Sequence, residues 1–119
     1  MSPSRPIPPG YPVDAELAST PQNLLWGYIA ADRAPVLRVK AGQTVRVHTV
    51  SHQGLNTKDD PVAYFGAAGI EPVDVLEDAK HVYRAMKREA GAGPHIVTGP
   101  IYIEGAAPGD MLEVRVLDV

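Results

Sequence analysis

No cysteine occurs among the 119 residues, which excludes disulfides, thiolate-bound zinc, iron–sulfur clusters and a cysteine nucleophile. Any zinc-like site must be built from His, Asp and Glu. Basic clusters are missing too: the formal charge is −3 and Lys and Arg are scattered, so there is no electrostatic footprint for nucleic acid or anionic lipid. Residues 1–12 hold five prolines and no apolar run, so they are neither a secretory signal nor a membrane span. The expected setting is cytoplasmic. There is no G-x-S-x-G elbow, no phosphate-cradling G-x-x-x-x-G-K-[ST], no H-E-x-x-H, and no carboxylate pair whose spacing marks an acid/base couple.

What is present is proline, glycine and short apolar runs. Residues 1–22, rich in Pro, Ser and Ala, read as an extended arm, because Ile7-Pro8-Pro9-Gly10-Tyr11-Pro12 can neither pair in a central strand nor continue a helix. Residues 23–119 read as one β-rich domain. Its first strand is Asn23-Leu24-Leu25-Trp26-Gly27-Tyr28-Ile29, with Trp26 in the core and its indole N–H in need of an acceptor. Residues 36–40 and 44–50 alternate apolar and polar about Ala41-Gly42-Gln43, which predicts a β-hairpin. Residues 51–61, with Gly54, Asn56, Asp59 and Asp60, predict a polar loop of the kind that often carries function.

From Asp74 the period changes. Val75, Leu76, Ala79, Val82, Tyr83 and Met86 recur three and four apart, with Glu77, Lys80, Arg84 and Lys87 opposite, which predicts one amphipathic helix. Asp74 and Glu77 have the spacing of a capping box, and Gly91 and Gly93 supply a stop. Residues 96–98, 101–103 and 112–116 read as three further strands. The fold class expected is mainly β: an antiparallel jelly-roll-like sandwich or barrel with one helix in a connection.

Four histidines are the candidate chemistry. His81 falls on the charged helix face four residues after Glu77, and His48 lies opposite the Val45 and Val47 face of its strand, so both read as surface residues. His52 sits in the polar loop, where an imidazole can serve as ligand or base. His95 is the best placed, in Pro94-His95-Ile96-Val97-Thr98-Gly99-Pro100. Two prolines restrict the backbone around His95 and Thr98, and Gly99 lets main chain approach a small ligand. Asp110 and Glu113 read as turn and strand-surface residues.

The ordered run His95-Ile96-Val97-Thr98-Gly99-Pro100-Ile101-Tyr102-Ile103-Glu104-Gly105-Ala106, with Pro108-Gly109-Asp110-Met111-Leu112-Glu113-Val114, resembles the histidine-x-leucine-threonine-glycine-proline signature of acetamidase/formamidase proteins. Val97 stands where leucine is usual. Thr20-Pro21-Gln22-Asn23-Leu24-Leu25-Trp26-Gly27, the segment 35–45 and Thr49-Val50-Ser51-His52-Gln53-Gly54-Leu55 are similar to the same family's N-terminal part. The resemblance implies hydrolysis of small linear amides, formamide or acetamide, to carboxylate and ammonia on a jelly-roll-like scaffold. It also implies a site containing His95, His52 and Thr98, with a divalent zinc-like metal on His52 and His95. Family members are usually more than twice this long, so the chain reads as an N-terminal domain or fragment, expected to associate with itself or with a C-terminal half. Two other readings stay open: a cupredoxin-like metal-binding domain, from the 35–45 hairpin pattern, and a non-catalytic association module.

Overall fold

Leu24 and Trp26 both turn inward from one short strand, and the main core forms around them. The computed structural model describes residues 12–55 and 60–119. Strands β1 (Ala15–Leu17), β2 (Leu24–Trp26), β3 (Leu37–Lys40) and β4 (Val45–Val47) precede helices α1 (Pro61–Gly66) and α2 (Glu77–Ala85). Strands β5 (Ile96–Thr98) and β6 (Ile101–Glu104) follow, and 3-10 turns lie at Pro21–Asn23 and Pro72–Asp74. The core cluster is Leu24, Trp26, Val50, Leu55, Ala79 and Val82, with Tyr83, Met86 and Ile96 packed on it. Val82 is wholly buried, which contributes about 1.5–3 kcal/mol relative to exposure.

The strands pair two by two: β1 with β4 in parallel, β2 with β5 antiparallel, and β3 with β6 in parallel. Among the described residues this is a small mixed α/β arrangement of short strands and two helices, with no closed barrel. The expectation of antiparallel neighbours is therefore corrected for β1·β4 and β3·β6, and the hairpin expected over residues 36–50 does not form. After β3 the chain does turn, at Gly42 (φ +83), closed by the Gln43 N–H on the Lys40 carbonyl at 3.2 Å. The outgoing strand is then captured by another partner. Asp14 Oδ2 accepts the Thr44 N–H at 2.8 Å while the Asp14 N–H donates to the Thr44 carbonyl at 2.9 Å, which steers β4 onto β1. In the same way β5 and β6 part at Gly99, one joining β2 and the other β3. The segment 112–116, expected as a strand, has no ladder partner among the described residues.

β1 falls inside the segment expected as an arm. Its Leu17 is buried, and the Ser19 hydroxyl donates to the Asp78 carboxylate on α2, so residues 12–22 belong to the packed body. The arm expected over residues 1–11 lies outside the described residues. On β3·β6 the Arg38 guanidinium rides 3.9 Å above the Tyr102 ring of its in-register neighbour.

Helix α2 forms as the apolar period predicts, but its ends differ. It starts after Leu76, with no side-chain cap, while Asp74 belongs to the preceding 3-10 turn. Lys80 does the tying instead, donating to the Pro72 carbonyl at 2.8 Å and to Glu77 Oε1 at 2.6 Å, a bond that holds the Glu77 carboxyl below its ordinary value. The helix ends at Ala85 because Met86 turns extended (φ −118, ψ 152) and packs back on the core, well before Gly91. Helix α1 begins at Pro61, where the expected polar loop ends. Asp60 and Pro61 are an N-cap followed by an N1 proline, and Asp60 Oδ1 accepts the Ala63 N–H at 2.8 Å. Among the described residues no helix is long and apolar enough to cross a membrane.

Two predictions follow from these contacts. Gly27 has φ +95, and a Cβ there would stand 2.7 Å from the Ala92 Cβ and closer still to the Gly93 carbonyl oxygen. Gly42 has a similar φ with open space around it. Gly27→Ala should cost about 2–4 kcal/mol in urea unfolding, from backbone strain plus overpacking, and Gly42→Ala about 1–2 kcal/mol, from strain alone. Equal losses would show that the close approach at Gly27 is not a constraint. The second prediction concerns the exposed pair on β1·β4, where His48 Nε2 lies 2.5 Å from Glu16 Oε1. The hydrogen bond to His48 is the largest cause holding the Glu16 carboxyl below its ordinary 4.5. A lowered carboxyl stabilises the fold above that ordinary value and loses the contribution as pH falls through the lowered one. Melting temperatures taken from pH 6 to pH 3 should therefore fall less for Glu16→Gln than for the parent chain, by a small margin because both groups are exposed.

Candidate functional site

Two segments far apart in sequence bring one histidine each to the same place. The first is the turn after Val50, which is buried. Ser51 Oγ accepts the Gln53 N–H at 3.1 Å, the His52 carbonyl accepts the Leu55 N–H at 3.0 Å, and the buried Leu55 pins the turn to the core. Gly54 (φ +80) lies flat on α1, where a Cβ would stand 3.0 Å from Phe65 Cε2 and 3.1 Å from Tyr64 Cδ1. The Tyr64 hydroxyl donates to Gln53 Oε1 at 3.0 Å. His52 is thus held from both sides by its own turn and by α1.

The second segment reaches the site through β2 and β5. Their antiparallel register pairs Trp26 with Ile96, and the ladder continues one step further as the Gly27 N–H donates to the His95 carbonyl at 2.7 Å. Trp26 Nε1 donates to the Pro94 carbonyl at 3.0 Å, which is the acceptor its burial requires. The Gly93 N–H donates to the Gly27 carbonyl at 3.0 Å. Three hydrogen bonds therefore fix the backbone on either side of the His95 imidazole.

The imidazoles of His52 and His95 meet edge to face, with ring centroids 4.8 Å apart and planes at 88°. His52 is half-buried and His95 is exposed, so the pair sits at the protein surface with solvent on one side. Imidazoles exchange protons near neutral pH, and two in contact can divide the roles of base and acid.

Thr98 is placed differently. Its backbone pairs with Leu24, and strand alternation puts it on the Ile96 face, opposite His95 and about 10 Å along the chain. The structure does not bring it to the histidine pair. His48 stays with Glu16 and His81 is exposed on α2, as their positions in sequence indicate. Tyr64 and Gln53 hold the His52 turn through α1, a contact between segments that no local sequence pattern signals.

A tetrahedral zinc-like ion binds imidazole through in-plane ring nitrogens at about 2.0–2.1 Å, and the edge-to-face contact of His52 and His95 does not by itself aim both at one point. Such a site normally draws three or more protein ligands, and among the described residues no group of three His, Asp or Glu assembles. Asp59 lies outside the described residues. The other face of the His52 turn borders an apolar pocket of about 320 Å³ between α1 and α2, lined by Ser51, Gln53, Phe65 and Val75 among others, and it contains neither histidine. In comparisons with family models, curated proteins and solved structures the chain matches none, so the resemblance in residues 95–114 rests on its own motif.

Proposed function

We propose that the chain carries the histidine wall of a site for hydrolysing small linear amides to carboxylate and ammonia. The observation that carries the reading is the ring contact between His52 and His95, the two histidines that the acetamidase/formamidase-like signature picks out. The jelly-roll-like scaffold and a cytoplasmic setting belong to the same proposal. It is supported by the β-strand framework that presents His95 and by the tight turn that presents His52.

The chemistry follows from placing an amide carbonyl beside the exposed imidazole. His95 takes a proton from water as its oxygen bonds to the carbonyl carbon, giving a tetrahedral oxyanion. The proton passes through the paired imidazoles, and His52 delivers it to the amide nitrogen as the C–N bond breaks. Water and amide are consumed, and carboxylate and ammonium leave. A divalent ion held by His52 and His95 would supply a Lewis acid for the carbonyl and lower the pKa of its bound water. Thr98 has no part in this sequence of steps, since its strand position faces away.

Ammonia release from formamide and acetamide, with and without added zinc, tests the proposal. His95→Ala and His52→Ala should each reduce turnover about 100-fold or more with circular dichroism unchanged. Because the two act as one unit, the double variant should fall little further than either single one. Full turnover in His95→Ala, or no ammonia from either amide under any metal condition, would overturn it.

A further inference from the structure

Among the described residues, 111–116 have no ladder partner, and their apolar side chains stand in solvent: Met111 is 97 % exposed, Leu112 60 %, and Val114 and Val116 76 % each. Leu112, Val114 and Val116 alternate with Glu113 and Arg115, and the latter two are ion-paired along one side of the chain. That is the pattern of a strand with one apolar face and both backbone edges open, an arrangement prone to pairing with another chain.

The charge order selects the partner. If two copies of this segment pair antiparallel about a two-fold axis at Val114, Glu113 of each copy faces Arg115 of the other. Leu112 then faces Val116, Met111 faces Leu117, and Val114 meets its own counterpart. Moving the axis to residue 113 or 115 sets Glu against Glu or Arg against Arg, and a parallel in-register pair also sets like on like. The ladder has natural ends. Asp110 is already engaged in its own turn, accepting the Ala107 N–H at 2.8 Å, and Asp118 would face Asp110 of the other copy.

We propose that residues 111–117 are a homodimerisation strand, the occupant of its open edge being the same strand of a second copy in an isologous, two-fold pairing centred on Val114. The proposal does not depend on amide hydrolysis.

Sedimentation of the full chain from micromolar to millimolar concentration should show a dimer of the 12.7 kDa chain. Glu113→Arg and Arg115→Glu should each weaken the dimer about tenfold, since each sets like charges opposite one another twice. An equimolar mixture of the two variants should regain the affinity of the parent, because every cross-strand pair in the heterodimer is again unlike. An effect confined within one chain could not be rescued by mixing. As the chain is free of cysteine, V114C should oxidise to a disulfide-linked dimer while V116C should not, its counterpart being four residues away along the ladder. A monomer at every concentration, as a partner of another kind would give, overturns the proposal. So does a dimer indifferent to both charge reversals, a mixture no tighter than the separate variants, or equal crosslinking at 114 and 116.

Discussion

The antiparallel pairing of β2 with β5 is the constraint on which the rest depends. It closes the chain between residue 24 and residue 98, and it sets Leu24, Trp26 and Ile96 together over α2. The pairing runs on past Trp26 only because Gly27 and Gly93 carry no side chains, so that their backbones approach within hydrogen-bond distance. The buried indole then reaches the Pro94 carbonyl, which costs the core no unsatisfied donor. His95 comes next in the chain, so the interactions that seal the core also set its position.

The His52 turn is anchored to the same core from the opposite side. Val50 and Leu55 bracket it as buried residues, while Gly54 and Gln53 rest on α1. Neither histidine rests on a long loop, and each has a core residue within three positions. A surface pair supported in this way is held by the fold itself.

The sequence makes some of this legible and hides the rest for identifiable reasons. The burial of Trp26 with its need for an acceptor and the apolar face of α2 follow from local pattern. Strand partners do not. Alternation tells which face of residues 37–40 or 45–47 is apolar, but it says nothing of which edge meets which. Hydrogen bonds from Asp14, a residue in a proline-rich stretch, decide that β4 leaves β3. Helix α1 was hidden by length: six residues show no period, and its Asp60-Pro61 start reads equally well as a turn. Thr98 is close to His95 in sequence, but three residues along a strand puts a side chain on the opposite face.

The same logic of edges accounts for residues 111–117. Among the described residues, the six strands between residues 15 and 104 all find partners, whereas the later segment has the alternation of a strand and joins no edge. A strand exposing apolar residues is normally protected by charge, and here the charges are only Glu113 and Arg115, of opposite sign. A run of like charge would repel a second copy. One acidic and one basic residue flanking Val114 instead make the segment complementary to itself, and the direction of that complementarity is antiparallel.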